Sequence, residues 1–125
     1  MKILILVALG GAVGALARYA ASLGIHSFFG NAFPYGTLFV NVVGSFIIGL
    51  LYIVITESAA EYGHYRAPIM VGLLGAFTTF SAFSLETVHL LEAGQMLKAS
   101  FNVLLNVGLC LSACWVGLTI ARVQY

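Results

Sequence analysis

Four apolar runs, each long enough to cross a lipid bilayer, occupy most of this 125-residue chain. They are ILILVALGGAVGALA (3–17), extending past Arg18 to about Leu23; YGTLFVNVVGSFIIGLLYIVI (35–55); APIMVGLLGAFTTFSAFSL (67–85), whose helix is expected to run on to about Leu91; and ASFNVLLNVGLCLSACWVGLTIA (99–121). About 20 apolar residues cross the roughly 30 Å hydrocarbon layer as a helix. Lipid offers the backbone no hydrogen-bond partner, so a spanning segment must satisfy its own N–H and C=O groups, as a helix does. The expected fold is an all-α integral membrane protein: one four-helix transmembrane domain, residues 1–125, with spans at about 3–23, 35–55, 67–91 and 99–121. Composition agrees, because only 7% of residues are charged, against about a quarter in soluble domains.

Several function classes drop out. No Lys/Arg cluster exists to meet nucleic acid. Cys110 and Cys114 share a helix face but have no carboxylate or His nearby in sequence, so they read as small packing residues. His26, His64 and His89 are scattered, without nucleophile or metal-ligand spacing, and no enzyme is indicated. GIHSFFGNAFP (24–34) reads as an interfacial turn and ESAAEYGHYR (57–66) as a solvated loop. Lys2, the apolar stretch and Ala15-Leu16-Ala17 together look like a secretory signal peptide, but Gly10, Gly11 and Gly14 interrupt the stretch and favour a retained span.

Charge sets the orientation problem. Four spans put both termini on one side, where Lys2, Arg66 and Arg122 lie; Arg18 and Lys98 fall on the other. Orientation follows a Lys/Arg excess, and three against two is hardly one. The expectation is insertion in both orientations and an antiparallel homodimer, with a weakly biased single topology as the alternative.

Small residues let spans approach: Gly10 and Gly14 in the first, Gly44 and Gly49 in the second, Gly72 and Gly75 in the third, Gly108, Ala113 and Gly117 in the fourth. Polar residues form stripes. Thr37, Asn41 and Ser45 recur every fourth residue in the second span, as do Asn102 and Asn106 in the fourth. Such amides need partners. Two readings stand here, a helix–helix hydrogen bond or a wetted path.

The third span holds the strangest stretch, GLLGAFTTFSAFSLE (72–86). Thr78, Thr79, Phe80 and Ser81 are poor interior helix residues, and a break near the middle of the third helix is expected there. Unwound backbone at membrane depth is tolerated only when buried in protein or lining a cavity. Phe80 and Phe83, interleaved with Thr79, Ser81 and Ser84, offer positive ring edges beside hydroxyl donors, which suits a small anion. A continuous helix with ordinary core phenylalanines is the alternative.

GGAVGALARY (10–19), GTLFVNVVGSFIIG (36–49) and GLLGAFTTFSAFS (72–84) together resemble the Fluc/CrcB family of fluoride channels, over about two thirds of the chain. The family often has Thr between the serine and the second phenylalanine, where this chain has Ala82. The resemblance implies a passive, fluoride-selective channel of the bacterial inner membrane that relieves fluoride toxicity. It implies an antiparallel dual-topology homodimer with two pores. Asn41, Phe80 and Phe83 would match pore residues, with the hydroxyls of Thr79 and Ser81 beside them. The backbone carbonyls of Gly75 and Thr78 would hold a structural sodium ion where the two breaks cross. Four carbonyl oxygens from two broken helices suit a hard cation.

Three further residues are tentative pore or vestibule groups. Arg18 either snorkels to the interface or attracts anions. Glu86 either orients Thr or Ser hydroxyls or is an exposed helix-end acid. Asn106 belongs to the fourth span, which matches the family only in character. The competing function is a small proton-coupled multidrug exporter. That needs a carboxylate deep in the bundle, and the first span has none. A non-transporting scaffold subunit would explain the glycines but neither the break nor the stripes.

Overall fold

The computed structural model describes residues 1–125 and is helical almost throughout. Helix α1 (Lys2–Phe29) and helix α2 (Tyr35–Glu57) form the first two crossings. The third is built from pieces: α3 (Ala59–Tyr62), a 3-10 turn (Gly63–Tyr65), a π-helical segment (Ala67–Leu74), α4 (Gly75–Phe77) and α5 (Phe80–Glu92). Helix α6 (Met96–Gln124) is the fourth. The stretches Lys2–Phe29, Tyr35–Glu57, Ala59–Glu92 and Met96–Gln124 are each long and apolar enough to cross a membrane. The interior is more polar than that of a soluble bundle. Thr37, Asn41, Thr79, Asn102 and Asn106 are buried, while Leu4, Leu16, Leu104, Leu111 and Trp115 face outward. That distribution is stable only where the surroundings are lipid.

Glycines decide which helices touch. α2 packs along α6, and α1 packs on the π-helical segment and α4. A Cβ on Gly14 would strike the Leu73 carbonyl, and one on Gly10 would lie 2.5 Å from the Pro68 carbonyl. Likewise a Cβ on Gly49 would strike the Cys114 carbonyl, and one on Gly117 the Phe46 carbonyl. Close backbone approach replaces the missing hydrophobic drive between helices in lipid. Gly24 is the control, since a Cβ there meets nothing within 4 Å. Gly14→Ala should therefore cost about 1–3 kcal/mol by overpacking. Gly24→Ala should be neutral or stabilise by up to about 1 kcal/mol through helix propensity. Thermal unfolding of the purified protein reads the difference, and equal melting points would refute the packing account.

Three boundaries differ from the sequence reading. Stretch 24–29 is not part of a turn: α1 continues through Gly24 to Phe29, and the chain reverses only over 30–34. Gly30 ends the helix at φ 78°, with its carbonyl accepting from His26 Nδ1 at 2.8 Å. Because α1 is longer than expected, Arg18 lies in the interior of the helix and not near its end. Stretch 57–66 is a series of helical turns, favoured by Ala59 and Ala60, instead of an open loop. The π-helical segment was not foreseen.

Candidate functional site

The third crossing breaks at two residues. Thr78 (φ −88°, ψ 159°) and Thr79 (φ −151°, ψ 123°) are extended, and α5 restarts at Phe80. Local hydroxyls manage both broken ends. Thr78 Oγ1 donates to the Leu74 carbonyl at 3.0 Å, and Thr79 Oγ1 accepts from the Ala82 N–H at 3.1 Å as the N-cap of α5. The β-branched threonines that disfavour helix thus also supply its caps.

Asn41 closes the break from α2. Its Oδ1 accepts the Thr79 N–H at 2.8 Å, and its Nδ2 donates to the Thr79 carbonyl at 2.9 Å. The side-chain amide pairs with the Thr79 peptide as a neighbouring strand would. Asn41 Nδ2 also donates to Asn106 Oδ1 at 3.1 Å. From there a relay runs through α6. Asn106 Nδ2 donates to the Asn102 carbonyl and Oδ1 at 2.9 and 3.0 Å, and Asn102 Nδ2 donates to Thr87 Oγ1 at 2.9 Å. Thr87 Oγ1 in turn donates to the Phe83 carbonyl at 2.7 Å. Both polar stripes therefore make helix–helix hydrogen bonds. They also border a cavity.

That cavity is a groove of about 420 Å³ between α2, the break and α6. Asn41, Thr78, Thr79, Phe80, Phe83 and Asn106 line it, with Gly75 at one edge. The two phenylalanine rings lie 5.3 Å apart at 57°. Their exposure differs: Phe83 is 8% exposed, whereas Phe80, at 76%, projects from the bundle. Ser45 and Cys110 line the groove too. Cys110 was read as a packing residue; its place in the Asn102–Asn106–Cys110 repeat was the signal for the groove.

Other expected residues stand apart. Ser81 is exposed, 3.4 Å from Thr79 Oγ1, and does not line the groove. Arg18 is half-buried on α1. Glu86 Oε1 accepts from Thr37 Oγ1 at 2.8 Å, the hydroxyl-orienting arrangement, while its buried Oε2 has no partner. Thr87 was the residue the sequence concealed, and the partner of Asn102 with it, since both come from contacts between α5 and α6.

No group of three or more His, Cys, Asp or Glu side chains is placed to hold a metal. A hard cation would instead have to use backbone oxygens. The break supplies them: the N–H groups of Thr79 and Ala82, the α-helical partners of the Gly75 and Thr78 carbonyls, turn to Asn41 Oδ1 and Thr79 Oγ1. Both carbonyls are released from the helix ladder, and carbonyl oxygens are the kind of donor a hard cation takes.

Fold and site together define a multi-pass helical membrane protein with a broken span and an amide-lined groove at its middle. Residues 5–118 match the family described as CrcB-like protein, Camphor Resistance (CrcB), and the chain belongs to that family. A relative from Alteromonas mediterranea is 53% identical over 93% of this chain and 91% of its own length. One from Citrifermentans bemidjiense is 48% identical over 98% of both chains. One from Methylococcus capsulatus is 55% identical over 93% of this chain, which spans about half (51%) of that longer protein. All three are named fluoride-specific ion channel FluC, the name of an ion channel and not of an enzyme.

Proposed function

We propose that this chain forms a passive fluoride-selective channel, working as an antiparallel homodimer with two pores and a central sodium ion, in the bacterial inner membrane. The observation that carries the reading is the groove. It gathers Asn41, Thr79, Phe80, Phe83 and Asn106 around one cavity, in a chain about half identical to proteins named for fluoride conduction.

Fluoride is small and holds its water tightly, so a path for it must offer hydrogen-bond donors and positive ring edges in place of water. The groove provides amides, hydroxyls and two aromatic rings. The groove is open along one wall, where Phe80 is largely exposed. A second copy would supply that wall and present its own Phe80 in return. The near balance of Lys and Arg supports the antiparallel arrangement. The freed Gly75 and Thr78 carbonyls would hold sodium where the two breaks meet, and its charge would raise the potential around an anion path that lacks cationic side chains. Export then follows the gradient: fluoride enters acid-exposed cells as neutral HF, ionises inside and leaves through the channel. A proton-coupled exporter is not favoured, because the one carboxylate near the bundle interior, Glu86, is bound to Thr37 and lies outside the groove.

The test is ion efflux from liposomes carrying the purified protein, read with a fluoride electrode beside chloride-loaded vesicles. Fluoride should empty from the vesicles while chloride is retained. No fluoride loss from folded dimers would overturn the reading.

A further inference from the structure

We propose that Asn106 is a two-position donor, switched by reversal of the Asn106–Asn102–Thr87 relay; the inference rests on the fluoride-channel reading and specifies how its groove receives the ion. In the observed arrangement no amide hydrogen at the groove is free. The two hydrogens of Asn41 Nδ2 go to the Thr79 carbonyl and Asn106 Oδ1, and the two of Asn106 Nδ2 go to the carbonyl and Oδ1 of Asn102. Neither amide orientation is arbitrary. The Thr79 peptide, donor and acceptor together, fixes Asn41, and the Asn102 carbonyl, which can only accept, fixes Asn106.

An anion that takes an amide hydrogen must therefore displace something. Taking the Asn41 hydrogen bound to Thr79 would loosen the break itself. Taking the one bound to Asn106 leaves the break intact, but it brings the anion against Asn106 Oδ1. A half-turn of the Asn106 amide removes that repulsion and offers Nδ2 to the anion beside Asn41 Nδ2. Terminal amide torsions are broad and roughly two-fold, so the turn is accessible.

The turned Asn106 Oδ1 then needs a donor, and the relay contains one. Asn102 turns likewise, giving Nδ2 to Asn106 Oδ1 and presenting Oδ1 to Thr87. The Thr87 hydroxyl rotates from the Phe83 carbonyl to Asn102 Oδ1. One hydrogen of Asn106 Nδ2 goes to the anion and the other is released from Asn102, the Asn102 amide and the Thr87 hydroxyl find new acceptors, and the hydroxyl rotor ends the chain. The acceptors given up are Thr87 Oγ1, which becomes the donor, and the carbonyls of Phe83 and Asn102, which lie inside α5 and α6, where helical N–H groups serve them. The turned Asn106 Oδ1 faces the Asn102 carbonyl, so the reversed state is reached only when the bond from Nδ2 to the anion outweighs that contact. Asn102 is fully buried and does not line the groove, so it acts by positioning Asn106.

Nuclear magnetic resonance of asparagine-labelled dimers, titrated with sodium fluoride, tests the switch. Fluoride should shift the side-chain amide protons of both Asn41 and Asn106 and show scalar coupling to both nitrogens. In parallel, Asn102→Asp, which accepts from Asn106 but cannot donate to its Oδ1, should lower fluoride efflux by about tenfold or more, the value of one hydrogen bond to a charged partner. Thr87→Ser, which keeps the rotor, should stay within about twofold of wild type. Fluoride coupling to Asn41 alone, or to neither amide while efflux persists, would overturn the relay and leave the channel intact. Absence of efflux from the wild-type protein would instead remove the channel reading and the relay with it.

Discussion

Replacing Asn41 with Asp should reduce fluoride efflux by roughly 100-fold, the largest loss expected from any isosteric change in the groove. The carboxylate keeps one of the three hydrogen bonds that Asn41 makes, because an oxygen still accepts the Thr79 N–H. It loses the other two. An oxygen would then stand where Nδ2 now lies 2.9 Å from the Thr79 carbonyl and 3.1 Å from Asn106 Oδ1. Two lost donor bonds at about 1.5 kcal/mol each amount to roughly two decades in rate or affinity. The added charge works in the same direction, since an anion path next to a carboxylate is repelled and an ionised acid at membrane depth is costly. Protonation of the new acid would return one donor, so part of the flux should recover in acidic buffer and vanish as pH rises. The change is isosteric and the N–H clamp survives, so dimers should still elute normally from a sizing column. Efflux within about threefold of wild type at neutral pH would mean that neither Nδ2 bond matters to conduction.

What the chain discloses in advance depends on whether the cause is local. The four crossings were readable because lipid forces each long apolar run to satisfy its own backbone. The break was readable because Thr78 and Thr79 are both poor helix residues and good caps, and the structure uses them as both. The π-helical segment was not readable. Its course is set by tertiary fit, with Gly10 and Gly14 of α1 pressed against the Pro68 and Leu73 carbonyls. The end of α1 was misplaced for a different reason. Gly24 and Gly30 look alike in sequence, yet Gly24 sits in helix with open space around it and only Gly30 takes a positive φ. In the groove, Asn41 announced itself as an amide with nothing local to bind. Asn102 did so too, but Thr87, its partner, did not, because their pairing lies in a contact between α5 and α6 at 2.9 Å. Phe80 and Phe83, three apart and identical in type, both line the groove, but Phe83 is buried and Phe80 largely exposed.

Tipping the charge balance should silence each orientation separately, and mixing the two should restore function. Lys2, Arg66 and Arg122 share the side of the termini, and Arg18 and Lys98 the other. Ala60 and Gln124 are exposed on the first side, and Asn31 and Ala93 are exposed in the turns of the second. Ala60→Lys with Gln124→Lys widens the terminal-side excess, whereas Asn31→Lys with Ala93→Lys and Arg122→Gln reverses it. Insertion follows the Lys/Arg bias, so each variant should enter almost entirely one way, and efflux in vesicles made directly from cells should fall to about one tenth or less of wild type. All five positions lie outside the groove, so the loss would reflect a missing antiparallel partner and not a damaged path. Co-expression of the two variants should bring efflux back, because each supplies the orientation the other lacks. Reporter domains fused to the C-terminus read the orientation independently. A variant that inserts one way and still conducts at the wild-type level when expressed alone would show that the wall facing Phe80 does not come from an inverted copy.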